Sequence, residues 1–271
     1  MSVIVAGLSV LAVIYIIARV AALIKEEKKS IDEGNPYIVF DGNSNDDNEN
    51  NVRLPSNWYV NIVKPLIDHV LSFVALVVLS PVLILIMFAI WIDDPGPVYF
   101  SQKRVGRYGR FFMLHKFRTM KLYAPHDVPT HLIKDVEKYT TGIGGFLRKT
   151  SLDEIIQIWD IFRGKMSIIG PRPALWNQDD LVIEREKYHA NSVMPGLTGL
   201  AQIKGRDELE IPVKAGFDGD YVRAMNSGGC KAMIFDLNIF FKSFLSVIRR
   251  EGVVEGGTGA IEKEKKRNEG E

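Results

Sequence analysis

Cysteine is almost missing from this chain: Cys230 is the only one among 271 residues. A single thiol excludes an intrachain disulfide framework and fits a reducing compartment. Surplus charge is missing as well. Lys and Arg number 34 against 33 Asp and Glu, a formal net charge of +1, which excludes a chain drawn to nucleic acid by its overall charge. Acidic residues are absent from Pro95 to His126, a window that holds Lys103, Arg104, Arg107, Arg110, Lys116, Arg118 and Lys121. Apolar residues are absent from Asp41 to Asn51. That stretch cannot bury enough surface to offset its ordering, so residues 25–61 read as a polar, acidic, disordered linker. The charged, Gly-rich end, 255–271, reads the same way, and no internal repeat is present.

Long hydrophobic runs are what the chain has in excess. Val3 to Ile24 contains one charge, Arg19. As a helix it spans ~33 Å, enough to cross a bilayer core, so 1–24 reads as a retained N-terminal transmembrane helix, with a cleaved signal as the alternative. Val70 to Ile92 follows Lys64, Asp68 and His69, and the second membrane helix is placed over 62–92. Ser80-Pro81 lies near its midpoint. Pro81 lacks an N–H and clashes with the preceding turn, so a bend is expected there. A kinked helix can still cross, and a sharper one can return to the side it came from. The basic window after it belongs on the cytoplasmic face in either topology.

Beyond the membrane runs, Asp93-Asp94-Pro95-Gly96-Pro97 is turn chemistry. Val98–Phe100 and Phe111–Leu114 predict a hairpin around Gly106 and Gly109. Short helical character is expected between Thr130 and Tyr139, a charged helix over Gln178–Ala190, and turn, strand and turn over Pro195–Arg206. Asp236 to Arg250 predicts an amphipathic helix with Leu237, Phe240, Phe241, Phe244, Leu245 and Ile248 on one face. That face suits either a core or the headgroup plane of a membrane.

Thr150-Ser151-Leu152-Asp153-Glu154-Ile155 is the candidate centre. Ser151 and Glu154 have the spacing of a capping box, with a helix expected over Leu152–Phe162. If the helix starts there, Asp153 and Glu154 lie where free N–H groups and the helix dipole favour negative charge. Arg148 precedes the pair, Arg172 sits in a Gly-Pro-Arg-Pro turn, and Arg206 ends a Lys-Gly-Arg turn. Arginine forks suit phosphate, and carboxylates suit a divalent cation; together they describe a site for a diphosphate.

Five segments in order carry a resemblance. They are Gln102–Phe112 (Gln-Lys-Arg-Val-Gly-Arg-Tyr-Gly-Arg-Phe-Phe), Lys116–Met120 (Lys-Phe-Arg-Thr-Met), Leu147–Glu154, Gly164–Pro173 and Pro195–Arg206. From about Lys64 to Arg250 the chain resembles the bacterial sugar transferases, the small monotopic phosphoglycosyl transferases that use polyprenyl phosphate. The resemblance implies a mainly helical, membrane-associated α/β domain over 62–254, with a membrane helix re-entrant at Ser80-Pro81, a short β-hairpin and interfacial amphipathic helices. It implies transfer of a sugar 1-phosphate from a nucleotide diphosphate sugar, usually a UDP-sugar, to undecaprenyl phosphate, releasing UMP. It implies Asp153 as the nucleophile, forming an aspartyl-phosphosugar, with Mg²⁺ beside Asp153 and Glu154. Lys116, Arg118, Arg148, Arg172, Arg206 and Asp218 fall to substrate binding. The expected setting is the cytoplasmic face of a bacterial inner membrane, among downstream glycosyltransferases. Asp207 and the Glu210-Ile211-Pro212 region depart from the family pattern, and Gly216 and Gly219 flank Asp218 unusually. A catalytically silent scaffold that recruits glycosyltransferases is the alternative reading.

Overall fold

The structure is a computed structural model that describes residues 55–125, 136–205 and 209–249. The expected helix over 1–24, the acidic part of the linker before residue 55, the 255–271 tail, Asp207 and Arg206 lie outside them. One helix among the described residues is long and apolar enough to cross a membrane. A π-helical turn, Tyr59–Val63, runs straight into α1, Lys64–Asp93. The folded unit therefore reaches back past the expected boundary at residue 62. Asn57 accepts hydrogen bonds from the N–H groups of Tyr59 and Val60, and the Tyr59 hydroxyl donates to Asp236. Pro81 lies inside α1, and Ser80 turns its hydroxyl back to the Val77 carbonyl.

Both ends of α1 are bonded to the same globular part. At the start, Lys64 pairs with Asp236 at 2.7 Å, and Asp68 accepts from the Ile168 N–H at 3.0 Å. At the finish, Asp93 accepts from the Ile143 N–H at 2.9 Å, and Asp94 holds Arg118. Each end also has its own core. Tyr59 packs in a cluster with Tyr221, Val222, Met225 and Ile239, while Leu83, Ile86 and Ile90 pack with Phe117 and Leu147. The remaining α1 surface, including Val77, Val78, Leu85 and Phe88, is exposed and apolar.

The hairpin is present and longer than expected: β1, Tyr99–Val105, pairs antiparallel with β2, Phe111–Phe117. Its turn holds Tyr108 in the left-handed region. Two helices follow, α2, Val136–Tyr139, and α3, Gly142–Lys149. The Leu152–Phe162 helix is corrected: a single tight turn, Leu152–Glu154, precedes α4, Gln157–Phe162. Ser151 has φ 56° and makes no side-chain cap, so the capping box does not form. Next come β3, Ser167–Ile169; α5, Asp179–Glu186; β4, Gly196–Thr198; and α6, Leu200–Lys204. The chain ends in α7, Ile211–Asn226, and α8, Gly229–Arg249.

β3 and β4 form a two-stranded parallel sheet, Ser167 opposite Gly196 and Ile169 opposite Thr198. A Cβ at Gly196 would run into the Gly170 backbone, so this pairing depends on two facing glycines. The two small sheets and the helices make a mainly helical α/β domain.

In α8 the stripe that faces the domain is Ala232, Asp236 and Ile239, continued by Ser243 bonded to Thr198. The aromatic stripe expected as either core or membrane face is turned outward. Leu237, Phe240, Phe241, Phe244 and Leu245 are all exposed. Packing within the described domain therefore does not account for those rings.

Candidate active site

Glu154 is held by two cations. Arg172 donates to both of its carboxylate oxygens, at 2.5 and 3.2 Å, and Lys116 donates to Oε1 at 2.7 Å. The three residues come from separate places: the β2 strand, the tight turn after α3, and the Gly-Pro-Arg-Pro segment after β3. A fork-on-fork arginine pair fixes geometry as well as charge. Burial pushes the Glu154 carboxyl up, but Arg172 and Lys116 outweigh it and hold it well below the usual range.

Asp153 is the opposite case. Its carboxylate has no hydrogen-bond partner among the described residues, although Lys116, Arg148 and Arg172 all act on it electrostatically. Burial raises its carboxyl above the usual aspartate value; Lys116 lowers it, Glu154 raises it, and Arg148 and Arg172 lower it. Arg148 sits in the last turn of α3 with a buried, unpartnered Nη1. The arrangement is one carboxylate locked, one free, and a guanidinium with an unused donor. Such a set can receive a phosphate beside an ionised nucleophile.

Strain accompanies the pair. Ser151 adopts φ 56° two residues before Asp153, a conformation that costs a non-glycine residue ~1–2 kcal/mol. Ser151→Gly is expected to fold and melt close to wild type. Ser151→Val, which tolerates that conformation worse, is expected to lose about 1–2 kcal/mol in thermal unfolding.

No group of three or more His, Cys, Asp or Glu that could form a metal cage occurs among the described residues. Both Glu154 oxygens are committed, which leaves Asp153 as the available carboxylate of the pair. Magnesium commonly binds through one or two carboxylates plus substrate phosphates. Asp153 is therefore the residue of the pair that would hold such an ion.

The structure thus brings together Lys116, Arg148, Asp153, Glu154 and Arg172. It places two expected site residues elsewhere. Arg118 is 4% exposed and binds the carbonyl and carboxylate of Asp94, with Nε and Nη1 unpartnered. It clamps the end of α1. Asp218 lies in α7 and makes a buried ion pair with Arg185, at 2.6–2.7 Å. Burial raises its carboxyl and Arg185 lowers it. Removing one partner of such a pair leaves an uncompensated charge, so Asp218→Asn is expected to destabilise by about 3–5 kcal/mol. Melting temperature and activity should fall together in that variant, and a selective loss of activity at wild-type stability would restore Asp218 to the substrate site.

One supporting pair was not read from sequence. Asp160, fully buried in α4, accepts from the His115 backbone N–H at 2.9 Å and faces its Nδ1 at 2.7 Å. This fixes β2 at the residue next to Lys116. The signal was a lone carboxylate in the apolar run Ile158-Trp159-Asp160-Ile161.

Comparison with known proteins identifies the family. The family described as bacterial sugar transferase matches residues 59–250. The undecaprenyl-phosphate galactose phosphotransferase of Salmonella typhimurium is 30% identical over 218 residues, covering 75% of this chain and 44% of that protein. The UDP-glucose:undecaprenyl-phosphate glucose-1-phosphate transferase of Escherichia coli is 36% identical over 187 residues, 64% of this chain and 38% of that protein. The exopolysaccharide production protein ExoY of Sinorhizobium fredii is 32% identical over 205 residues, 70% of this chain and 88% of that protein. The matched part is less than half the length of the first two relatives and most of the third. With all five motifs lying inside the matched region, the chain belongs to the bacterial sugar transferase family.

Proposed function

We propose that this chain transfers a sugar 1-phosphate from a UDP-sugar to undecaprenyl phosphate and releases UMP, at the cytoplasmic face of a bacterial inner membrane. The observation that carries the reading is the divided carboxylate pair, Glu154 locked by Arg172 and Lys116 and Asp153 left free beside Arg148. The names of the relatives support donor and acceptor.

An oxygen of Asp153 attacks the phosphorus that bears the sugar. The bond to the bridging diphosphate oxygen breaks, UMP leaves with that oxygen, and an aspartyl-phosphosugar remains. The phosphate of the lipid then attacks the same phosphorus, and Asp153 is released as a carboxylate. Arg148 supplies a donor to the phosphate. Arg172 and Lys116 keep Glu154 ionised and themselves in register. A magnesium ion held by Asp153 would supply neutralisation of phosphate charge.

The acceptor is a lipid, so the site must reach the bilayer surface. The outward aromatic stripe of α8 suits the headgroup plane, and the exposed face of α1 suits the acyl layer. A straight 30-residue α1 would be ~45 Å long, yet both ends bind one globular part. That favours α1 entering and leaving on the same side, bent at Ser80-Pro81. With Cys230→Ser as background, Ile62→Cys and Pro95→Cys should label from the cytoplasmic side alone; labelling of either from outside would overturn the re-entrant reading.

The activity test uses protein in detergent, magnesium, undecaprenyl phosphate and a panel of UDP-sugars, with UMP as readout. Magnesium-dependent UMP release is expected with one donor, and its continuation past a single turnover is expected to require the lipid. Binding of UDP-sugars with no turnover would favour the silent scaffold.

A further inference from the structure

A cleft opens at the start of α1, and none of the Asp153 group lines it. Three of its lining residues carry buried polar atoms with no hydrogen-bond partner: His69 Nε2, Ser192 Oγ and Asn61 Oδ1. His69 is 1% exposed and Ser192 2%. A buried polar atom left unpaired is costly, and a cluster of three on one cleft marks a site shaped for a ligand.

The chemistry of the three atoms narrows the ligand. His69 Nδ1 lies 2.7 Å from the Pro65 carbonyl oxygen, which can only accept. Nδ1 therefore carries a hydrogen, and in the tautomer protonated at Nδ1 the Nε2 is an acceptor. Asn61 donates through Nδ2 to Ser56, so its Oδ1 is an acceptor too. The ligand must bring donors. It need not bring charge: Lys64 is matched by Asp236, and the Asp68 carboxylate accepts from the Ile168 N–H. Of the other cation, Arg107, the Nε donates to the Ser192 carbonyl. The lining itself holds Lys64, Arg107 and Asp68, and the Lys64 ammonium is already taken by Asp236. Val60, Pro65, Met166, Met194 and Met225 make much of the wall apolar. The other face of the same helical turns, Leu66, Ile67 and Val70, is exposed and apolar, which sets the cleft beside lipid in the reading of α1 given above.

We infer that this cleft binds a neutral, hydroxyl-bearing amphiphile, whose hydroxyls donate to His69 Nε2 and Asn61 Oδ1 and pair with Ser192 Oγ while its apolar part lies on the methionines. Hydroxyls of this kind come from an uncharged lipid headgroup or from a free polyol. The full chain, in a detergent without a sugar headgroup, is titrated separately with dioleoylglycerol and with methyl glucoside while thermal unfolding is followed. A saturable rise in melting temperature is expected with one of them. Dioleoylglycerol alone identifies a lipid source, and methyl glucoside alone a soluble one. His69→Leu and Ser192→Ala should each weaken the apparent affinity at least tenfold, with UMP release in the absence of probe unchanged. If His69→Leu does not fold, Ser192→Ala decides the matter. No shift with either probe, or wild-type affinity in the folded variants, overturns the inference. The readout is binding, so it stands or falls apart from the transferase reading.

Discussion

Asp153→Asn abolishes UMP release, with a rate at least ~10³-fold below wild type, and leaves the fold intact. The amide keeps the shape of the side chain but not its nucleophilic oxygen. No hydrogen bond is lost, because the Asp153 carboxylate makes none among the described residues. Stability should not fall either. Burial raises the Asp153 carboxyl in the folded protein, so its stabilising contribution is present below the unfolded value and is lost as pH rises through the folded one. An uncharged replacement removes that loss at neutral pH. The variant is expected to melt at or slightly above the wild-type temperature. Mass spectrometry of wild type incubated with the donor alone should show a hydroxylamine-sensitive phosphosugar adduct, absent from Asp153→Asn. Activity within tenfold of wild type in the variant would remove Asp153 from the nucleophile role.

Substitutions of Glu154 and Lys116 shift the pH dependence in opposite directions. The attacking group must be ionised, so wild-type activity rises with pH through the Asp153 value, which lies above that of an ordinary aspartate. Glu154 raises that value and Lys116 lowers it. Glu154→Gln should therefore move the acid limb to lower pH, and Lys116→Gln to higher pH. Both variants misplace a neighbour of the reacting atom and should lose about 10²-fold at their optimum. Their stabilities separate them further. Glu154 is held well below its usual value, so its contribution is present above the unfolded value and is lost as pH falls through the folded one. Glu154→Gln should be less stable than wild type at neutral pH, with the difference closing in acid. Limbs that move together, or not at all, would show that the pair is not coupled as described.

Much of the site was legible because its parts are local. The Asp-Glu pair, the arginine turns and the hairpin each occupy a few adjacent residues, and side-chain chemistry with turn preference locates them. The capping box failed for a local reason as well: Ser151 takes a left-handed conformation that turns its hydroxyl from the cap role, and the helix starts later, at Gln157. Periodicity located the aromatic stripe of α8 but not its direction, since an apolar face reads alike toward core or lipid. The domain instead takes the stripe with Ala232, Asp236 and Ser243, because Lys64, Tyr59 and Thr198 supply partners there.

The sequence by itself determined the family resemblance, the position of the adjacent Asp153-Glu154 pair and the presence of a long apolar segment containing Ser80-Pro81. These rest on residue types at short spacing, which the chain carries whether folded or not. Tertiary structure alone decided which residues share a site. Lys116, Glu154 and Arg172 meet across three elements, whereas Asp218 is drawn to Arg185 and Arg118 to Asp94. Buried charges take the nearest counter-charge that packing provides, and that partner is set by contacts far apart in sequence.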